Sequence, residues 1–230
     1  MTEITIARRP AAIKPSPSMA ARALVLSLRA EGRSIIDVSA LTLAEMGICI
    51  LGVSDHTACY YDPRGLDLME IERHVAAHGV LAGFSSELVF DPAALLVQPC
   101  DILVPAAVER VIDADVARRL RCRILAEGAN GPTTPEADRV LEERDEIFVL
   151  PDILCNSGGV IVSYFEWVHD IQRLFWEEDE VKSRANQILD RAFNQVQQRV
   201  QRERISQRMA AMAIGVEKVL DGKRRRGLFP

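Results

Sequence analysis

From Gly47 onward the sequence alternates short apolar runs with longer amphipathic ones. Residues 48–53, 102–104, 123–126 and 147–150 are apolar over nearly their whole length, the pattern of parallel strands buried on both faces. Between them, residues 67–77, 113–120 and 135–144 carry apolar positions at helical spacing, the last opening on Thr134 as an N-cap with Pro135 in the first turn. Strand and helix in alternation predict an α/β fold: a doubly wound, Rossmann-like parallel sheet over residues 34–151, with no antiparallel hairpin between residues 48 and 150.

The C-terminal third reads as helix. Residues 160–176 form one amphipathic run behind Gly158 and Gly159, and Glu177, Glu178, Asp179 and Glu180 place acids where the next helix begins and its dipole favours them. In that helix Val181, Ala185, Ile188, Ala192, Val196 and Val200 recur as a packing stripe. In the final helix Met209, Met212, Ala213, Val216 and Val219 are expected to face inward, and Gly222 to end it. The chain thus divides into an N-terminal leader (1–40), a Rossmann-like dinucleotide-binding domain (41–157) and a C-terminal helical segment (158–230).

At 230 residues and 48% hydrophobic content the chain can bury a substantial core. A net charge of -5 gives no electrostatic case for nucleic acid or an anionic membrane, and the Lys223-Arg224-Arg225-Arg226 run reads as a solvated tail. Cys49, Cys59, Cys100, Cys122 and Cys155 are odd in number and never spaced as CxxC, so neither a disulfide framework nor a metal site is expected. Four of them lie in or beside apolar runs, as buried free thiols do, and Cys155 adjoins a candidate site asparagine. No apolar run approaches the ~20 residues of a membrane-spanning helix, and a reducing cytoplasm fits best.

Candidate chemistry clusters at predicted strand ends. Asp55 follows the run at 48–53, where an acid either takes adenosine ribose hydroxyls or caps the turn. Pro105-Ala106-Ala107 follows the second run, and small side chains there let a ligand approach the backbone. Asn130 and Asn156 end the next two, each a side-chain amide able both to donate and to accept. Val160 and Ser163 share a helix face behind Gly158-Gly159, although a helical serine often bonds its own backbone. The usual phosphate cradle is missing, since no two of the 13 glycines are spaced as GxG. The residues 34–39 (SIIDVS) offer a replacement first strand, but the turn after them has no glycine to hold pyrophosphate. His56, His74, His78 and His169 are dispersed, and none of Lys14, Lys182, Lys218 and Lys223 sits where desolvation would make it a base, so no catalytic residue is assigned.

Three blocks, EGANGPTTPEAD, PDIL-N-GG and VSYFEW, fall in that order within residues 126–167. From about Leu43 to the C-terminus the chain resembles the cofactor domain of the hexameric glutamate dehydrogenase family. The resemblance implies hydride transfer between L-glutamate and a nicotinamide dinucleotide, giving 2-oxoglutarate and ammonia. It implies that Asp55, Ala106, Ala107, Asn130 and Asn156 contact the cofactor, with NAD weakly preferred over NADP because Asp55 disfavours a 2′-phosphate. It also implies that Val160 and Ser163 touch the substrate side chain and its distal carboxylate. Ile161 and Ser157 depart from the threonine and alanine common in that family. The substrate domain that supplies the family's catalytic lysine and aspartate has no counterpart here, and most hexamer contacts go with it.

The leader, RRPAAIKPSPSMAARALVLSLRAEGRSIIDVS, resembles the first residues of aspartate-aminotransferase-like enzymes but stops before their next motif, too short to imply transamination. Two expectations follow. The chain is either the cofactor portion of an NAD-linked glutamate dehydrogenase, completed by a separate substrate-domain chain, or a non-catalytic remnant that binds nucleotide weakly or packs against a subunit.

Overall fold

The computed structural model describes residues 43–44, 47–172 and 176–226; the aminotransferase-like leader and the residues 34–39 lie outside them. The parallel sheet contains β3 (Ile102–Leu103), β4 (Ile124–Ala126) and β5 (Phe148–Leu150), in that order. Ile102 pairs with Ile124 and Ile124 with Phe148; Leu103, Leu125 and Val149 form the next row. The intervening segments carry α3 (Ala114–Arg119) and α4 (Pro135–Glu142), which is the strand–helix alternation expected of an α/β fold.

The caps explain where these helices begin. Asp113 accepts from the Val116 amide and Thr134 from the Ala137 amide, and Pro135 follows Thr134 at a position where its missing N–H costs nothing. Both helices pack on one face of the sheet, where Ile112, Ala117, Leu120, Leu125, Ala137, Leu141 and Ile147 form the main core.

The opposite face corrects the expectation of strands buried on both sides. Ile102, Ile124 and Phe148, one aligned row, stay 36–37% exposed, and Phe148 meets Phe193 at 6.4 Å between ring centroids.

A second correction concerns the run at 48–53. Its strand, β1 (Gly52–Ser54), pairs antiparallel with β2 (Cys59–Tyr61), so a hairpin stands where none was expected. The cause is the turn. The Asp55 amide donates to the Ala58 carbonyl at 2.9 Å, and the Asp55 carboxylate takes the amides of Thr57 and Ala58, an Asx-type closure that hydrophobic periodicity does not register. The hairpin packs with α1 (Leu68–His78) around Tyr60, Leu68, Ile71 and Leu81, and a short α2 (Pro92–Leu95) follows.

Beyond β5 come α5 (Asp152–Cys155), α6 (Gly158–Gln172), α7 (Glu178–Glu203) and α8 (Gln207–Arg226). The acids Glu178, Asp179 and Glu180 fill the first turn of α7, and Ala185 and Val196 of its stripe are buried. In α8 the inward face is not the expected one. Ala210 and Ala211 are buried with Leu154 and Val196, whereas Met209, Met212, Val216 and Val219 are at least half exposed. Two apolar stripes compete on this helix, and the alanines win because small side chains let it approach α5 and α7 closely. The helix also runs past Gly222 to Arg226. Among the thiols, Cys59 and Cys122 are buried as expected, but Cys49 is exposed.

Candidate functional site

Parallel pairing sends the carboxyl ends of β3, β4 and β5 to one edge, where open α/β sheets bind their ligands. Three segments meet there: residues 104–107 after β3, 127–131 after β4 and 151–156 after β5. The Ala129 amide donates to the Pro105 carbonyl at 2.9 Å, and a Cβ at Gly128 would stand 3.1 Å from that of Ala106. Gly128 and Ala106 therefore need to be small for the first two loops to touch.

The third loop joins through its asparagine. Asn156 Nδ2 donates to Asn130 Oδ1 at 2.7 Å and to the Gly128 carbonyl at 3.3 Å. Both N–H groups of Asn156 are thereby used, and the pair presents Asn156 Oδ1 as an acceptor and Asn130 Nδ2 as a donor.

Beneath the pair lies a charged network that the sequence patterns did not disclose. Glu127 is fully buried; its Oε2 accepts from the Asp152 amide at 3.0 Å and its Oε1 from the Thr133 hydroxyl at 2.5 Å. Asp152 Oδ2 accepts from the Gly131 amide at 2.8 Å. Arg208 of α8 donates to all three nearby carboxylates: Nη2 to Glu127 at 2.6 Å, Nε to Asp138 at 2.8 Å and Nη1 to Asp152 at 3.2 Å. Burial pushes the Asp138 carboxyl up, and the Arg208 charge offsets this in part. Burial, with the Glu127 and Asp152 charges, also raises the Cys155 thiol and keeps it protonated. The one sequence signal for this network is a charged residue, Glu127, inside an otherwise small and apolar strand end.

Ser157 donates to the Leu154 carbonyl at 2.9 Å, so the departure from alanine there serves the loop itself. Behind it, Val160 (74% exposed) and Ser163 both lie on the exposed side of α6. A methyl group at Gly158 or Gly159 would meet no atom within 4 Å among the described residues. These glycines are not required by packing within the described chain.

Asp55 lies apart from this edge cluster, after β1. Its Oδ1 accepts from the Thr57 amide (2.5 Å), the Thr57 hydroxyl (2.6 Å) and the Ala58 amide (2.9 Å), and its Oδ2 from the Leu81 amide (2.9 Å). Burial acts to raise its pKa, but these hydrogen bonds outweigh it and hold the carboxyl below its ordinary value. The Asp55 carboxylate thus closes the turn after β1, and the residue lines an open cleft of about 420 Å³. Among the described residues no group of three His, Cys, Asp or Glu side chains is placed to hold a metal ion, and no helix is long and apolar enough to cross a membrane.

The family model for glutamate/leucine/phenylalanine/valine dehydrogenases matches residues 36–227. The chain belongs to this family. The match begins slightly upstream of Leu43, inside the segment read as aminotransferase-like. Among characterised relatives, the glutamate dehydrogenase of Thermotoga maritima is 40% identical over 81% of this chain and 44% of its own length. The cryptic catabolic NAD-specific glutamate dehydrogenase of Bacillus subtilis is 38% identical over 80% of this chain and 42% of its own. The hetero-hexameric glutamate dehydrogenase of Thermus thermophilus, solved with leucine bound, superposes with a TM-score of 0.76 at 32% identity, covering 83% of this chain and 45% of that one. The chain spans less than half the length of these family members, and its α/β core is Rossmann-like as theirs is.

Proposed function

We propose that this chain is the cofactor-side portion of an NAD-linked glutamate dehydrogenase. The observation that carries the reading is the Asn130–Asn156 amide pair at the carboxyl edge of the sheet. One acceptor and one donor, presented side by side, complement a nicotinamide carboxamide, which offers an N–H donor and a carbonyl acceptor.

In this reading Asn130 and Asn156 hold the carboxamide, while the small Ala106 and Ala107 let the dinucleotide lie against the loop after β3. Asp55, which lines the cleft beside the hairpin, takes a ribose hydroxyl, which favours NAD over NADP. Val160 and Ser163 face the substrate side chain. When bound, the nicotinamide accepts the hydride from the amino carbon of glutamate; this chain contributes binding and orientation. The nicotinamide end of the cofactor fits the residues present, but the pyrophosphate end does not, because no GxG turn supplies backbone N–H groups. A base and an α-carboxylate site come from a separate substrate-domain chain. The compartment is the cytoplasm, in keeping with five free thiols.

The second reading, a non-catalytic remnant that packs against another subunit, draws on the exposed apolar faces of α6 and α8. An NAD titration followed by the side-chain amide resonances of Asn130 and Asn156 separates the two. Saturable shifts at these amides, with a dissociation constant weaker than micromolar, support the cofactor reading; no shift up to millimolar NAD leaves the remnant. Micromolar or tighter binding would contradict the weight placed on the missing cradle.

A further inference from the structure

We infer that Arg208 is the positioning residue of the Asn130–Asn156 pair, an inference that rests on the reading of that pair as a carboxamide site. The guanidinium stands on α8, far along the chain from both asparagines, yet it is linked to each of their loops by one carboxylate. Glu127, which accepts Nη2, lies in the strand-end segment leading into Asn130; Asp152, which accepts Nη1, opens the short α5 that ends at Asn156.

The two carboxylates are not independent acceptors. Glu127 Oε2 takes the Asp152 amide, and Asp152 Oδ2 takes the amide of Gly131, the residue after Asn130. Two hydrogen bonds, Arg208 to Asp152 and Asp152 to Gly131, therefore lead from the guanidinium to the backbone beside Asn130. Asp138 of α4 accepts the third edge and fixes the rotation of the planar group. Among the described residues, Arg208 alone ties the β4 loop, the β5 loop and α4 together at one point.

The fork is what matters, because an ammonium ion supplies the same charge without three donors in one plane. The group stays charged: burial opposes ionisation, and the Glu127 and Asp138 carboxylates outweigh it. A residue serving only to neutralise buried acids would tolerate lysine. A residue that aims two loops would not.

The test uses the full chain and three variants, Arg208→Lys, Asp152→Ala and Asn130→Ala. Solvent exchange of the Asn156 side-chain N–H, slowed in the parent by its bond to Asn130, is measured by NMR beside the core amides of Leu125 and Ala137. Positioning predicts that Arg208→Lys and Asp152→Ala each speed that exchange about tenfold while the core amides keep their protection. They should also weaken NAD about as much as Asn130→Ala does. Folded Arg208→Lys protein with parent-like Asn156 exchange would overturn the inference. If Arg208→Lys does not fold, Asp152→Ala decides by the same readout; if neither folds, the cluster holds the sheet rather than the loops, and the inference is wrong. Should Asn130→Ala leave NAD binding unchanged while Arg208→Lys still frees the Asn156 amide, positioning stands and the carboxamide reading fails.

Discussion

Asn156 and Asn130, 26 residues apart in sequence, share a 2.7 Å side-chain hydrogen bond at the carboxyl edge of the parallel sheet. Each is therefore oriented by the other, and neither acts as an isolated turn asparagine. This mutual orientation makes their contributions to ligand binding coupled.

Asn130→Ala and Asn156→Ala are each expected to weaken NAD about tenfold, the scale of one lost hydrogen bond to a buried polar group. The double variant should be little weaker than either single one, since removing one amide already releases the other. Titrations of all four proteins measure this; strictly multiplicative losses would show two separate contacts.

The acid side of stability should depend on Asp55. Its folded pKa is depressed, so its contribution is fully present above the ordinary value of 3.8 and is lost as pH falls below that value through the folded one. Asp55→Asn should lower the melting temperature at neutral pH and flatten the melting curve's pH dependence below about pH 4. An unchanged pH profile would mean that the hairpin turn does not need the ionised carboxylate.

The outer face of α6 carries Val160, Tyr164, Trp167 and Ile171, all at least 56% exposed and spaced to form one stripe. An exposed apolar surface of this size marks a binding or self-association face. Sedimentation of the isolated chain should show concentration-dependent association, reduced in a Tyr164→Glu, Trp167→Glu double variant. A strictly monomeric parent that binds no hydrophobic dye would remove this face as a docking surface.

What the sequence disclosed follows from which forces leave local traces. The strands β3 to β5 and the cap Thr134 are legible because burial and capping select residue types at fixed spacings. The Asp55 turn is not, since a carboxylate closing its own loop looks the same as one awaiting a ribose. The inward face of α8 is not legible either, because Met209, Met212, Val216 and Val219 outweigh Ala210 and Ala211 in any hydrophobic pattern, although close helix packing favours the alanines. The site was half visible. Its two asparagines stand in recognisable blocks, but Arg208 reaches Glu127 across 81 residues, a pairing with no periodicity to betray it.

The central claim is that this chain retains the nicotinamide side of a glutamate dehydrogenase site while its own residues supply neither base nor α-carboxylate grip. General acid–base catalysis alone contributes ~10²–10⁴ in rate, and orientation of the reacting atoms many-fold more. A steady-state assay of NADH formation from L-glutamate, run on the isolated chain and on Ser163→Ala, tests this most directly. The account predicts no turnover above background in either protein, with activity emerging only when a lysine-bearing substrate-domain chain is added. Turnover by the chain alone that collapses in Ser163→Ala would contradict it.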